Sequence, residues 1–152
     1  MKRQNKLGLS LVGGNGMSDS LKGSCFCKAV QYEARGLLSP LGHCHCESCR
    51  KIHSAAFNTT ALTAYEGFQW TVGGDVVASI ESSPGKHRYF CPKCGTHLVA
   101  LYPEQKRAVL RIGSLDSPLP ADPVVHIWTS EKAPFFDFDD GLPRLPEGVP
   151  KS

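Results

Sequence analysis

Apolar and polar residues alternate along most of this chain with a period of two rather than 3.6. Val30 and Tyr32, for example, stand between polar neighbours, as in a strand with one buried face. The predicted strands are residues 29–34, 56–65, 68–72, 76–80, 87–90, 97–102, 107–112 and 124–128. Residues 47–53 are the one segment for which we predict a helical turn. The pattern therefore predicts an all-β or mainly β fold.

Glycine and proline divide these strands from one another. The chain has 15 Gly and 11 Pro, which indicates many turns and short strands. The Gly-Gly-Asp turn at residues 73–75 lies between two predicted strands and predicts a hairpin. A chain of 152 residues is long enough for one domain with its own core. We place this domain at residues 21–136, between a flexible N-terminal tail at residues 1–20 and a loosely ordered C-terminal tail at residues 137–152.

The charge balance argues against several classes of partner. Lys and Arg total 17 and Asp and Glu total 14, for a formal net charge of +3. The N-terminal tail carries +2 of this charge, from Lys2, Arg3 and Lys6 against Asp19, which leaves +1 for the rest. Nucleic acid and anionic membranes need a concentrated basic surface, so neither is expected as the main partner. No segment reaches the ~18 apolar residues of a membrane span, and no secretory signal is convincing.

Cysteine is the most informative residue type. Seven cysteines are an odd number, and they fall short of the ~8–10% of residues typical of a disulfide scaffold. We therefore expect thiols committed to metal in the reducing cytoplasm, in preference to disulfides. No feature of the sequence indicates an oligomeric state.

A first metal site is predicted from two cysteine pairs. Cys91 and Cys94 form a C-P-K-C-G knuckle in which Gly95 can take the positive φ of a tight turn. The knuckle supplies two ligands and needs two more. Cys25 and Cys27 are the natural complement, because residues i and i+2 of an extended strand face the same side. We interpret these four as a closed structural zinc site that supports folding; the alternative is that the C-x-C pair is packed in a core.

The three remaining cysteines leave a metal one ligand short. Cys44, Cys46 and Cys49 follow C-x-C-x-x-C spacing, and catalytic zinc sites keep one position open. Zinc would hold a thiol bound there as thiolate at neutral pH. The alternative is a second structural site closed by an imidazole, for which the candidates are His43, His45, His53 and His97. In an extended segment His43 and His45 face away from the cysteines, which weakens both.

The order of these motifs resembles that of a known family. The motifs C-x-C, C-H-C-x-x-C-R-K and C-P-x-C-G-x-x-L, together with residues 55–57 and 126–134, resemble the glutathione-dependent formaldehyde-activating enzymes, also called the CENP-V/GFA domain. The resemblance implies a β-tent fold of several small twisted antiparallel sheets around a zinc site of four cysteines. Lys28 and His53 stand where this family often has Gly, and Phe135 where it usually has Trp. None of these departures removes a cysteine.

The resemblance also implies an activity. The family condenses formaldehyde with glutathione to S-hydroxymethylglutathione, a carbon–sulfur lyase reaction written in reverse. It implies two zinc ions per chain: a structural one at the first four cysteines and an active-site one at Cys44, Cys46 and Cys49, the expected catalytic residues. The expected partners are a small thiol such as glutathione and an aldehyde.

Other side chains are candidates for supporting roles. A proton must move to or from the hydroxyl of the adduct, and the candidates by type are His45, His53 and His97. The candidates for binding the carboxylates of glutathione are Arg50, Lys51, Arg88 and Arg111. We interpret Trp70, Trp128, Phe135 and Phe136 as core residues. The main alternative function is a non-catalytic zinc module that binds a thiol ligand or a protein; a nucleic-acid-binding zinc ribbon is disfavoured by the near-neutral charge.

Overall fold

The structure, a computed structural model, describes residues 20–150. The predicted flexible tail lies outside the described residues except for Ser20. Within these residues the α-helix α1 is Glu47–His53, and three short 3-10 helices are Tyr65–Gly67, Ile112–Ser114 and Thr129–Glu131. The strands are β1 (Leu21–Ser24), β2 (Gln31–Ala34), β3 (Gly42–Cys44), β4 (Asn58–Ala64), β5 (Phe68–Val72), β6 (Ala78–Ser83), β7 (Lys86–Phe90), β8 (His97–Tyr102), β9 (Arg107–Arg111) and β10 (His126–Ile127).

The strands form two sheets. A three-stranded sheet has the order β1-β2-β5, and a seven-stranded sheet has the order β10-β3-β4-β9-β8-β7-β6. The mainly β prediction is confirmed. One pair differs from the expected antiparallel arrangement, because β10 runs parallel to β3 with His126 opposite His43 and Ile127 opposite Cys44. Parallel pairing requires a long connection, and β10 comes far later in the chain than β3.

Most predicted elements are present. β5 and β8 have the predicted bounds, and the helical turn is confirmed as α1. The Cys46 sulfur accepts a hydrogen bond from the Cys49 amide at the N-terminus of α1 (3.4 Å), and Ser54 ends this helix with a φ of +48°. β1 and β3 were not predicted as separate strands, because four and three residues are too few for alternation to be recognised. No described helix has the length and apolar character needed to cross a membrane.

The hairpin predicted at residues 73–75 is wrong. β5 pairs with β2 and β6 pairs with β7, so this turn joins strands of different sheets. Gly73 serves a different purpose there. Its φ is +70°, and a Cβ on it would lie 2.1 Å from the carbonyl oxygen of Ala29. Glycine is therefore required for a close backbone approach to the segment before β2.

The core is centred on Tyr32. Its ring packs against Phe68 and Trp70, with centroids 5.3 and 6.4 Å away, and its hydroxyl is 2.8 Å from Ser114 Oγ. Burial raises the pKa of Tyr32 to about 12. A Cβ on Gly23 would lie 2.3 Å from this ring, so this position in β1, two residues before the first cysteine, has no room for a side chain.

The C-terminal segment differs from the predicted loose tail. Backbone hydrogen bonds join it to β10 and the residues after it: Leu145 N donates to His126 O (2.8 Å), and Trp128 N donates to Glu147 O (3.0 Å). The segment also contributes Phe138, whose ring stacks on His126 with centroids 4.0 Å apart. Composition could not predict this order, because backbone atoms make most of these bonds.

Candidate metal centre and ligand cavity

The first cysteine group has the geometry of a closed zinc site. The sulfurs of Cys25, Cys27, Cys91 and Cys94 all lie within 4.8 Å of one another. The Cys25–Cys27 separation is 3.6 Å and the Cys27–Cys91 separation is 3.8 Å. Four sulfurs around a tetrahedral zinc at ~2.3 Å stand about 3.8 Å apart. The group can therefore hold a zinc ion with little rearrangement.

Turns bring the first group together. The sequence interpretation put Cys25 and Cys27 on one strand, but they lie in a turn after β1 in which Lys28 N donates to Cys25 O (3.0 Å). Lys28 has a φ of +62°, a backbone conformation that glycine adopts more readily than other residues. The Cys91 knuckle has the predicted form, since Gly95 has a φ of +76° and its N–H donates to Cys91 O (2.8 Å).

The second group consists of three sulfurs. Cys44 ends β3, Cys46 precedes α1 and Cys49 lies in its first turn, and their sulfurs lie within 4.8 Å of one another. No histidine of the described region joins them. His45 Nε2 is instead 2.8 Å from His126 Nδ1. The expectation that this imidazole faces away from the cysteines is confirmed.

His126 links the cysteine loop to the C-terminal segment. Its Nε2 lies 2.8 Å from Asp140 Oδ2, and its Nδ1 faces His45. His43 also has another partner, Thr59 Oγ1 at 2.9 Å. In the neutral tautomer of His126 that donates Nε2–H to the carboxylate, Nδ1 of this ring accepts from Nε2–H of His45. This chain of bonds holds His45 in place from outside the cysteine group.

The second group favours a thiolate on Cys49. Hydrogen bonds from Cys44 and Cys46, together with the charges of Arg111 and Arg88, lower the pKa of Cys49. Hydrogen bonding to the other two sulfurs and burial raise the pKa of Cys44. A negative charge is therefore favoured at the end of the group that faces the two arginines.

The same three sulfurs lie in the wall of a cavity of about 560 Å³. Arg88 and Arg111 also line it, and both are almost fully buried, with exposed fractions of 2% and 3%. Arg88 Nη1 lies 4.0 Å from Cys49 Sγ. Within the described residues neither arginine forms an ion pair with a carboxylate. Buried cations without carboxylates make the cavity favourable for an anion.

Among the described residues, two further basic side chains and one acidic side chain line the cavity. Lys86 and Arg107 line it, as does Glu131, whose Oε2 accepts from Glu47 N (2.6 Å). The sequence interpretation missed Lys86 and Arg107. The sequence could have indicated Lys86, because Lys86 and Arg88 on β7 stand two residues apart, and this spacing puts side chains on one face of a strand.

Several predicted supporting residues lie elsewhere. His53 and His97 line a second cavity, and burial together with the nearby Arg111 charge lowers the pKa of each to about 4. Arg50 Nε donates to Glu131 O (3.0 Å), and Lys51 pairs with Glu47 (2.9 Å) on the surface. Of the predicted carboxylate-binding residues, the structure brings only the two buried arginines to the cysteines.

The four aromatic residues predicted to be in the core lie in different environments. Trp70 packs against the core as predicted, and Phe136 is half-buried beside Phe57. Trp128 forms part of the cavity wall. The core assignment of Phe135 is wrong, since this side chain is 79% exposed. It follows the buried Ala133 in a segment without regular structure, where no periodicity indicates which side chains are buried.

Known proteins similar to this chain include the following two. One is an uncharacterized lyase of Schizosaccharomyces pombe, 33% identical over 85 residues that cover 56% of this chain and 60% of that protein. This chain thus matches less than two thirds of the length of this relative. The other is a Rhodobacter sphaeroides protein of known crystal structure, with a TM-score of 0.54 and 20% identity over 65% of this chain and 91% of that one; at this identity it shows the fold alone.

The family match covers the whole of both cysteine groups. Residues 20–131 match the family described as glutathione-dependent formaldehyde-activating enzyme. The matched range contains all seven cysteines, the four basic residues of the cavity wall and β1 to β10. This chain therefore belongs to the family of glutathione-dependent formaldehyde-activating enzymes.

Proposed function

We propose that this protein is a zinc-dependent carbon–sulfur lyase that acts on the adduct of an aldehyde with glutathione or a similar thiol. S-hydroxymethylglutathione is the proposed adduct. Cys44, Cys46 and Cys49 are the proposed catalytic metal ligands, and the four other cysteines are the proposed structural ligands. Family membership and the lyase name of the relative support this class of reaction.

The observation that carries the proposal is the position of three clustered sulfurs in the wall of a basic cavity. A closed structural site needs a fourth protein ligand, and the described residues supply none. A cavity of about 560 Å³ is within the size range of small-molecule sites. Glutathione carries two carboxylates, for which Lys86 and Arg107 are suitable partners because they line the cavity beside the buried arginines.

Charge counting favours a thiolate as the missing ligand. A zinc ion bound there would supply positive charge that keeps an incoming thiol deprotonated. Three thiolates with Zn²⁺ sum to −1, and Arg88 with Arg111 add +2. The buried centre then carries +1, which one further thiolate would neutralise. A neutral ligand would leave this charge uncompensated in a buried site.

The reaction itself requires few groups. In the forward direction the thiolate sulfur adds to the carbonyl carbon, the π electrons of the carbonyl move to its oxygen, and this oxygen takes a proton. The reverse direction breaks the carbon–sulfur bond and releases the proton. None of the predicted histidines lines this cavity. Tyr102 does line it, and its side-chain type makes it our candidate for the proton transfer. The basic wall holds the thiol so that the carbonyl approaches it in a productive orientation.

The test compares two cysteine variants in metal content, folding and turnover. Native protein should contain two zinc ions per chain and should accelerate adduct formation, followed by exchange NMR. Cys49→Ser should lose activity and thiol binding while keeping its fold. Cys91→Ser should lose cooperative unfolding, because the structural site is coupled to folding.

Each outcome distinguishes the proposal from its alternative. A native protein that binds glutathione without accelerating adduct exchange would be the non-catalytic zinc module. A Cys49→Ser protein that fails to fold would make the second group structural. One zinc per chain in the native protein would contradict the division into two sites.

A further inference from the structure

Arg111 also lines a second, smaller cavity. It has a volume of about 380 Å³ and is bounded by the end of α1, the start of β4 and the knuckle loop before β8. Its polar lining includes His53, Asn58, Thr96, His97, Arg111 and Ser114. Within residues 20–150, Arg111 is the one residue that lines both this cavity and the larger one. The two cavities are therefore separate sites with one charged side chain in common.

Buried donors without acceptors line this second cavity. Asn58 Nδ2 and Arg111 Nη2 are buried and have no hydrogen-bond partner among the described residues. Both side chains are more than nine-tenths buried. An amide nitrogen and a guanidinium nitrogen can only donate, and leaving such groups unpaired in a folded protein is costly. A ligand that satisfies both must present acceptor atoms.

The charge of the lining selects an anion. Arg111 is a buried cation, and no Asp or Glu among the described residues lines the cavity. The two histidines, with ring centroids 5.3 Å apart, are neutral near pH 7, because burial and the Arg111 charge lower the pKa of each to about 4. The same positive charge repels a metal ion from this imidazole pair. A neutral acceptor would lack the charge-assisted hydrogen bond that an anion forms with a guanidinium.

We propose that the smaller cavity is a binding site for a small oxyanion, either a carboxylate or inorganic phosphate, held by Arg111 and Asn58. A guanidinium presents two parallel N–H groups that match the two oxygens of a carboxylate or phosphate. The Asn58 amide supplies a further donor from β4. This site does not depend on the thiol chemistry proposed for the larger cavity, and it uses no cysteine.

The binding test uses NMR titration of the full-length protein with acetate, with phosphate and with acetamide. Acetamide has the shape of acetate without its charge. We expect saturable shifts of the Asn58 side-chain amide and the Gly113 amide with acetate, phosphate or both. Shifts at Gly148 report separately on anion binding in the larger cavity. Acetamide should bind at least roughly tenfold more weakly, as expected for loss of a charge-assisted hydrogen bond. The anion that binds more tightly, acetate or phosphate, identifies the chemical class of the natural ligand.

Two variants separate this site from the larger cavity. Asn58→Asp keeps the side-chain size but places a carboxylate beside Arg111, so it should weaken anion binding roughly tenfold or more. Lys86→Met removes a charge from the larger cavity only and should leave the shifts at Gly113 unchanged. The proposal would be overturned if acetamide bound as tightly as the anions, or if the shifts did not saturate. It would also be overturned if the shifts were confined to Gly148 and were lost in Lys86→Met. The acetamide comparison needs no variant, so it decides the question even if Asn58→Asp fails to fold.

Discussion

Replacing Arg88 with methionine should weaken thiol binding without unfolding the protein. Arg88 is 2% exposed, its Nη1 lies 4.0 Å from Cys49 Sγ, and its Nε donates to Ser82 Oγ (2.7 Å). Methionine has similar length and no charge. Since no described carboxylate pairs with Arg88, the substitution leaves no buried anion of that kind unpaired. A hydrophobic replacement of a buried cation is then tolerated by the fold.

The distance between Arg88 and Cys49 determines how much the substitution should weaken thiol binding. Two unit charges 4.0 Å apart interact by about 4 kcal/mol at an effective dielectric constant of 20. The charge on the sulfurs is shared among several atoms, and a hydrogen bond to a charged group contributes roughly 1.5–3 kcal/mol. Each 1.4 kcal/mol is a factor of about ten in affinity. We therefore expect the Kd for glutathione to rise roughly 10- to 100-fold.

Titration calorimetry of zinc-loaded protein with glutathione measures this change, and urea unfolding measures stability. Lys51→Met is the matched control. It also removes one positive charge, but its Nζ pairs with Glu47 on the surface, where the side chain is 75% exposed; such pairs contribute little. A Kd for Arg88→Met within twofold of the native value, or an equal loss in Lys51→Met, would refute the role assigned to the buried charge.

Two further predictions concern the framework of the site. Gly23→Ala should destabilise the fold by roughly 1–3 kcal/mol, because its Cβ would overlap the fixed ring of Tyr32. Thermal unfolding should therefore show a lower Tm. Gly113→Ala is the control, because a Cβ there meets open space, and it should leave the Tm nearly unchanged. Asp140 accepts a hydrogen bond from a buried histidine, which holds its pKa below the ordinary value. This carboxylate stabilises the fold above its unfolded-state pKa, and the contribution is lost as pH falls through the folded-state pKa. Asp140→Ala should therefore lower the urea midpoint at pH 7 but not in acid, and an equal loss at both pH values would contradict this.

The cysteine grouping was predictable because it depends on short-range rules. C-x-x-C with proline and glycine needs only a tight turn, and C-x-C needs only two thiols on one side of a short segment. The backbone detail was less predictable: Cys25 and Cys27 lie in a turn with a left-handed Lys28. The sulfurs converge nonetheless, since their grouping requires only that both thiols face the knuckle.

The cavity was less predictable because it depends on strand order. Arg88 on β7 and Arg111 on β9 reach the cysteines only because β8 pairs with both strands. Nothing in the spacing of residues 88 and 111 indicates this pairing. The contribution of Gly148 and Val149 to the cavity wall likewise depends on the C-terminal segment returning to β10. Such contacts can be identified from the tertiary structure but not from a local sequence pattern.

Arg111 connects the two proposed ligands through one charge. Its side chain lines both cavities, and burial removes the water that would otherwise screen it. Two anions, one in each cavity, would share the single positive charge of this guanidinium. An oxyanion bound in the smaller cavity therefore weakens the attraction between Arg111 and a thiolate in the larger cavity. By thermodynamic linkage, the thiol must weaken oxyanion binding by the same factor. Because no described carboxylate pairs with this buried arginine, each of the two ligands should lower the affinity of the protein for the other.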